Sequence, residues 1–210
     1  RGFGFYQCLK IGSILILNEL LNILDLILLR KLNFLLSIEA ATLSLGSSFL
    51  KTNDINSESI IQYLKKNKVD LIVSFSAPCI FRKELLDIPE YGCINLHCSL
   101  LPEFSGLLPS FWTLYEKASH IGATIHMMDN KIDNGAILGQ EKLKTPKNIS
   151  IYQNIKITKE LGGNLMVKVI KKMVKNEITK LDNKYDEKNY KTWPTIKQMK
   201  EFRQEGGKLV

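Results

Sequence analysis

Residues 69–97 read VDLIVSFSAPCIFRKELLDIPEYGCINLH, and two apolar runs in this stretch decide the fold. The run at Val69–Ser76 is short and rich in β-branched residues, and the run at Gly92–His97 is similarly apolar. Both are typical of buried strands, and Arg82–Leu86 between them has a helical pattern. This alternation predicts an α/β fold with a mostly parallel central sheet flanked by helices.

The sequence after these strands predicts a hairpin and a long helix. Ala123–Met128 and Ala136–Lys144 are strand-like, and the Asp, Asn and Gly residues of 129–135 are typical of the loop between them. A helix is expected over residues 151–176. The pair Gly162–Gly163 lies in its middle, where glycine lowers helix stability by about 1 kcal/mol relative to alanine. We therefore expect close packing at these glycines.

Composition indicates one domain of ordinary size with a basic surface. The chain has 210 residues, 45% of them hydrophobic, and we expect a domain over 1–176 and a short C-terminal extension over 177–210. Twenty-nine Lys+Arg against 21 Asp+Glu give a net charge of +8. This excess favours anionic partners such as a nucleotide, a polyglutamylated cofactor or RNA; the alternative is solvated lysines without a partner.

An apolar stretch at residues 11–36 reads IGSILILNELLNILDLILLRKLNFLL. Charged residues interrupt it, so it lacks the run of about 18 apolar residues that a bilayer span needs. It also lacks the small-residue cleavage site of a signal peptide. We expect a buried or interface helix and no membrane span, with attachment to a membrane surface as the alternative. The interrupting residues are Glu19, Asp25, Arg30 and Lys31.

The cysteines and histidines predict a reduced, metal-free protein. The four cysteines form no Cys-x-x-Cys pair and are mostly in or beside apolar runs, which is typical of buried thiols in a cytoplasmic protein. The three histidines lack the spacing of metal ligands, so no metal is expected. The cysteines are Cys8, Cys79, Cys93 and Cys98.

Two stretches contain the polar residues that indicate chemistry. Asn95 and His97 are two positions apart at the end of a strand, so they face the same side. Burying an amide and an imidazole together costs free energy unless each forms hydrogen bonds, either with other residues or with a bound substrate. The alternative is a structural role, since a single histidine at the end of a strand is often structural. The loop after Met128 adds Asp129 and Asp133, which act either in the same site or as turn formers.

Together the two stretches resemble the folate-dependent formyltransferase family. The family pattern is Asn-x-His-x-Ser-Leu-Leu-Pro-x-x-x-Gly, followed by Gly-x-Thr-x-His and then Asp-x-Gly. Residues from about Val69 to Lys172 follow the family in order. The matching positions are Asn95, His97, Ser99, Leu100, Leu101, Pro102, Gly106, Gly122, Thr124, His126, Asp133 and Gly135.

The resemblance implies a Rossmann-like formyltransferase fold and a catalytic site of Asn95, His97 and Asp133. Asn95 is expected to donate a hydrogen bond to the oxyanion that forms at the formyl carbon. His97 donates a second bond or takes the proton of the amine, and Asp133 orients His97 or assists proton transfer. His126 is interpreted as a strand residue or a residue behind the site. The co-substrate implied is 10-formyltetrahydrofolate, and no metal is needed.

The resemblance also implies where the pterin ring binds. VSFSAPCIF at 73–81 falls where the family has its pterin-cradling loop, and the segment after Met128 is a second wall of that site. The implied folate contacts are Ser76, Ala77, Pro78, Ile80, Asp129 and Ile132.

The acceptor amine is less constrained by the sequence. A short tail after residue 176 with Trp193-Pro194-Thr195 resembles formyltransferases that act on nucleotide-linked amino sugars, so this acceptor is expected. The alternative acceptors are methionyl-tRNA and glycinamide ribonucleotide, or water, which would make the reaction hydrolysis of 10-formyltetrahydrofolate. A further alternative is a truncated or non-catalytic relative that binds folate. A homodimer is a further expectation. The opening strand of the family's sheet is not recognisable before residue 11, so we expect either a fragment or a chain whose first strand has been lost or replaced.

Overall fold

The structure, a computed structural model, describes residues 38–210, which fall into two units with a boundary after residue 53. Of the first unit it describes residues 38–53, with one short helix, α1, at Ile38–Ser44. The apolar helix expected at 11–36 lies outside the described residues. No helix within residues 38–210 is long and apolar enough to cross a membrane.

A four-stranded sheet in the order β1-β2-β3-β4 organises the second unit. Its strands are β1 at Ile72–Phe75, β2 at Cys93–His97, β3 at His120–Met127 and β4 at Ile137–Lys144. The predicted α/β class and the hairpin of β3 and β4 are confirmed.

The sheet is mixed, which corrects the expectation of a mostly parallel one. Among the described strands only β1 and β2 pair in parallel, whereas the β2–β3 and β3–β4 pairs are antiparallel. The physical reason lies partly in the connection between β3 and β4. A short loop joins neighbouring strands only when they run in opposite directions, because a parallel pair needs a long crossover.

Helices cover the sheet, and the two predicted at 82–86 and 151–176 are confirmed. The long helix expected over 151–176 is α5, which begins after Ser150; the Ser150 side chain and Gln153 form a capping box. The helices of the second unit are α2 at Glu58–Lys66, α3 at Lys83–Leu86, α4 at Pro109–Tyr115, α5 at Ile151–Val174 and α6 at Ile196–Gln204, with a 3₁₀ turn at Glu187–Asn189.

Alternation along β2 decides which side chains face the site. Ile94 and Leu96 pack in the core beneath α5, where Gly162 makes its close approach to Leu96. Cys93 packs on the other side of the sheet, against a core cluster that includes residues of α2 and α3. Since side chains alternate along a strand, Asn95 and His97 lie on the Cys93 side.

The C-terminal residues 177–210 pack on the same unit through backbone bridges and apolar contacts. Leu181 bridges Ile137 at the start of β4, and Lys191 bridges Gly106 in the loop after β2. From α6, Phe202 joins a buried aromatic cluster around Phe111. The segment therefore reaches the loops that carry the motif residues.

Candidate active site

Two rows of polar side chains cross the sheet on the Cys93 side. Residues that are opposite each other on paired strands point to the same face, so each row is a set of neighbours. Both rows lie at the carboxyl end of β2, where sites form in sheets of this class. The rows are Ser74, Asn95 and His126, and then His97, Thr124 and Gln140.

His97 is buried, and its hydrogen bonds indicate which ring nitrogen carries the proton. Nε2 lies 2.7 Å from the backbone oxygen of Phe104, which can only accept, so we assign the proton of the neutral ring to Nε2. Burial lowers the pKa of His97, although Asp133 and the Phe104 carbonyl act in the opposite direction. A neutral His97 therefore presents a free lone pair at Nδ1, 3.4 Å from Oδ2 of Asp133.

Asp133 is buried and held in its ionised form by its neighbours. Burial by itself would raise its pKa, but His97, His126 and the N–H of Gly106 together lower it. The Gly106 N–H donates to Oδ2 of Asp133 at 2.7 Å. The backbone of Asp133 is in the left-handed region with φ of 53°, a conformation that Asp and Asn tolerate better than most residues. Oδ2 of Asp133 thus accepts from Gly106 and faces the unprotonated Nδ1 of His97, a contact that becomes attractive once Nδ1 takes a proton.

Asn95 is oriented by His126. Nδ1 of His126 lies 2.8 Å from the Met127 carbonyl, so its proton is assigned there and Nε2 accepts from the Asn95 amide at 3.2 Å. Among the described residues, the second amide N–H of Asn95 has no hydrogen-bond partner. His126 also lies 3.5 Å from Oδ1 of Asp133. His126 therefore contacts two of the three predicted catalytic side chains, Asn95 and Asp133.

The loop after β2 is shaped by side chains that fix its carbonyl and N–H groups. Ser99 donates to the Phe104 carbonyl that also accepts from His97. Thr124 donates to the Ser99 carbonyl at 2.7 Å and accepts from Leu101 N–H at 3.1 Å. Gln140 donates to the Leu101 carbonyl at 2.8 Å. The loop consequently presents Phe104 oxygen to His97 and Gly106 N–H to Asp133.

The predicted folate residues lie on two loops with different character. Ser76, with φ of 54°, begins the exposed loop after β1, and Ile80 on that loop is 60% exposed. Ile132 in the second loop is 38% exposed. Both oxygens of Asp129 accept bonds within its own loop, from Lys131 N–H and the Asn134 amide. The folate contacts of these residues, together with those of Ala77 and Pro78, remain predictions.

Sequence reasoning missed several residues that shape the site. Ser99 and Thr124 match the family pattern, so their positions carried a signal without indicating what each contacts. The positions of Gln140 and Asn183 carried no signal, because each contacts the site through residues far away in the sequence: Gln140 bonds Leu101, and Asn183 bonds Asp133. The prediction of no metal stays a prediction; within residues 38–210 no group of three or more His, Cys, Asp or Glu is arranged to hold one.

A family model described as Formyl transferase matches residues 33–170. Methionyl-tRNA formyltransferase of Clostridium perfringens (strain SM101 / Type A) is 39% identical over 124 residues, which are 59% of this chain and 40% of that protein. The bifunctional polymyxin resistance protein ArnA of Wigglesworthia glossinidia brevipalpis is 34% identical over 137 residues, 65% of this chain and 21% of that protein.

A sugar N-formyltransferase from Shewanella sp FDAARGOS_354 has a similar structure, with a TM-score of 0.60 at 25% identity. The match covers 75% of this chain and 61% of that one. The chain therefore belongs to the formyl transferase family, as the resemblance of the two motifs predicts. The alignment with the methionyl-tRNA formyltransferase covers 40% of that protein's length.

Proposed function

We propose that this protein transfers a formyl group from 10-formyltetrahydrofolate to a primary amine, with Asn95, His97 and Asp133 as catalytic residues. The observation that carries the proposal is the contact between two buried side chains, His97 and Asp133, whose facing atoms are Nδ1 and Oδ2. A neutral imidazole with its proton on Nε2 has a basic nitrogen directed at an ionised carboxylate 3.4 Å away. Membership of the formyl transferase family supports the same reaction.

The arrangement supports a division of roles among the three residues. When bound, the folate supplies an activated formyl carbon to which the amine adds. Asn95 donates its free N–H to the oxygen that becomes negative in this step; removing one such donor typically costs about 10²–10³ in rate. His97 takes the proton of the amine at Nδ1.

Asp133 stabilises the imidazolium that His97 then becomes. A proton at Nδ1 lies beside Oδ2, so the charged ring gains an opposite charge in a buried site where such pairs are strong. His97 subsequently returns this proton to the leaving nitrogen as its bond to the formyl carbon breaks. The neutral resting state is thereby restored without a second catalytic base.

The folate is proposed to bind between the loop after β1 and the loop before β4. Ser76, Ala77, Pro78 and Ile80 would line one side, and Asp129 and Ile132 the other. The exposure of Ile80 and Ile132 supports this placement, because exposed apolar side chains beside a polar site often contact a ring-shaped ligand.

We propose an amine on a nucleotide-linked sugar as the acceptor. The likeness to a sugar N-formyltransferase over 75% of this chain supports it. The second candidate is methionyl-tRNA, supported by the 39% identity to a methionyl-tRNA formyltransferase. Both acceptors are anionic, which fits the net charge of +8. The free thiols of Cys79, Cys93 and Cys98 support the cytoplasm as the compartment.

The test mixes the protein with 10-formyltetrahydrofolate and one amine at a time, and follows release of tetrahydrofolate. The amines are a dTDP- or UDP-amino sugar, glycinamide ribonucleotide and charged initiator tRNA. Activity with the sugar alone supports the proposed acceptor, and activity with tRNA alone replaces it. A folded protein that releases tetrahydrofolate with none of them contradicts the proposed reaction.

Matched variants locate the chemistry. His97→Ala should lose most of the rate, whereas His120→Ala should keep it, because His120 lies at the opposite end of β3 and its side chain contacts Ser119, outside the site. Asp133→Asn should likewise lose rate, and Asp87→Asn, which removes an exposed ion pair with Lys83, should not. Equal rates within either pair would refute the assigned roles.

A further inference from the structure

Asn183 is a buried residue of the C-terminal segment that holds the loop carrying Asp133. The residue is 3% exposed. The amide nitrogen donates to the Asp133 carbonyl at 2.7 Å and to the Gly135 carbonyl at 3.1 Å. One NH₂ group has two N–H donors, so Asn183 uses both of them on the backbone on either side of residue 134.

These bonds fix the backbone from which the Asp133 carboxylate projects. Asp133 has φ of 53°, and Gly135 packs so closely on Met127 that an added Cβ would lie 1.9 Å from its carbonyl oxygen. A loop with such local geometry needs fixed anchors if the carboxylate is to stay aligned with His97. Asn183 supplies two of them.

The same C-terminal segment also holds the group that bonds the Asp133 carboxylate. Lys191 N–H donates to the Ser105 carbonyl at 2.8 Å, and Leu107 N–H donates to the Lys191 carbonyl at 2.7 Å. Gly106 lies between these two bonds, and its N–H donates to Asp133 at 2.7 Å. Residues 183–191 therefore hold both the backbone of Asp133 and the partner of its side chain.

We propose that Asn183 is a positioning residue for formyl transfer, acting through Asp133 to keep the carboxylate beside His97. This inference rests on the proposed function, and it assigns to the C-terminal segment a part in the catalytic geometry. The amide oxygen of Asn183 is buried without a hydrogen-bond partner among the described residues. Its two donor hydrogens are thus the part of the side chain that serves the site.

The test compares Asn183→Asp with Asn189→Asp, an identical change at an exposed position of the same segment. An ionised carboxylate cannot donate to the two carbonyls, so Asn183→Asp should lower kcat about 10- to 100-fold at neutral pH, with a smaller effect on the KM of the amine. On acidification the introduced carboxyl gains a proton and one donor, so its kcat relative to wild type should recover. Asn189→Asp should follow wild type throughout.

If Asn183→Asp does not fold, the same kinetic comparison is made with Asn183→Ser, whose hydroxyl retains one of the two hydrogen-bond donors. A merely structural role would lower the melting temperature and leave kcat of the folded protein and its pH profile unchanged. That result would overturn the inference.

An NMR titration of the His97 ring gives a readout that does not need turnover. The groups that face this ring are Asp133, His126 and the Phe104 carbonyl. Asp133 acts to raise the pKa of His97, so displacing Asp133 in Asn183→Ser, which adds no charge of its own, should lower the His97 midpoint, with no change in Asn189→Asp. Identical His97 titrations in all variants would overturn the inference even if wild type proves inactive; inactivity of wild type by itself contradicts only the proposed function.

Discussion

Two adjacent glycines in α5 should respond in opposite ways to the same substitution. A Cβ on Gly162 would lie 2.2 Å from Cδ1 and 2.8 Å from Cδ2 of Leu96, and 3.1 Å from Cβ of Ala123. Leu96 and Ala123 are both buried in the core beneath α5, so they have little room to move. At Gly163 a Cβ would meet nothing within 4 Å.

The difference between the two variants isolates the packing effect. Alanine in a helix interior is favoured over glycine by about 1 kcal/mol, and both substitutions gain this. Overfilling a packed core costs roughly 1–3 kcal/mol, and only Gly162→Ala incurs it. Gly163→Ala should therefore be more stable than wild type by about 0.5–1 kcal/mol, and Gly162→Ala less stable than Gly163→Ala by about 1–3 kcal/mol.

Equilibrium unfolding in urea, followed by far-ultraviolet circular dichroism, measures both free energies. Unchanged slopes would confirm that the midpoints report stability of the folded state. Because Leu96 lies between Asn95 and His97 on β2, Gly162→Ala should also lower kcat, whereas Gly163→Ala should not. Equal stability of the two variants would refute the close packing inferred at Gly162.

Further predictions concern pH and thiol chemistry. Burial lowers the pKa of His97 below its ordinary value of about 6.5, so an NMR titration of this ring in the free protein should have its midpoint at more acidic pH; a midpoint at or above that value would contradict the prediction. Since the folded-state pKa values of His97 and Asp133 are both lowered, the unfolded chain binds more protons, and the free energy of unfolding should decrease as pH falls below about 6.5. His97→Gln should weaken this dependence in urea titrations made across pH. Burial raises the pKa of Cys93 to about 11, so peptide mapping after alkylation should find Cys93 unmodified in the folded protein and the exposed Cys79 modified. A folate analogue should protect Cys79, and equal labelling with and without it would count against the predicted pterin loop.

Local patterns in the sequence were sufficient to predict the four strands, the long helix and the two motifs that contain Asn95, His97 and Asp133. Asn95 and His97 share a face because side chains alternate along any strand, and Ser150 caps α5 because its side chain bonds the first turn. Both features depend on neighbours a few residues away. For that reason they were predictable before any tertiary contact was known.

The remaining features depend on contacts between residues far apart in the chain. The direction of β3 against β2 and the contact of Asn183 with Asp133, 50 residues away, follow from how distant segments meet. The predicted close packing is confirmed at Gly162 and absent at Gly163, because only the former faces the sheet. A glycine pair in a helix pattern does not by itself tell which member lies under the core.

The most direct test of the proposed reaction is a single-turnover experiment with 10-formyltetrahydrofolate and the amino sugar, in which mass spectrometry detects the formylated amine. Wild type and His120→Ala should form the product at similar rates. His97→Ala and Asp133→Ala should each be slower by about 10²-fold or more, as expected for loss of acid–base catalysis. Product formed at the wild-type rate by both site variants, or no product from folded wild type with this or any other amine tested, would contradict the account.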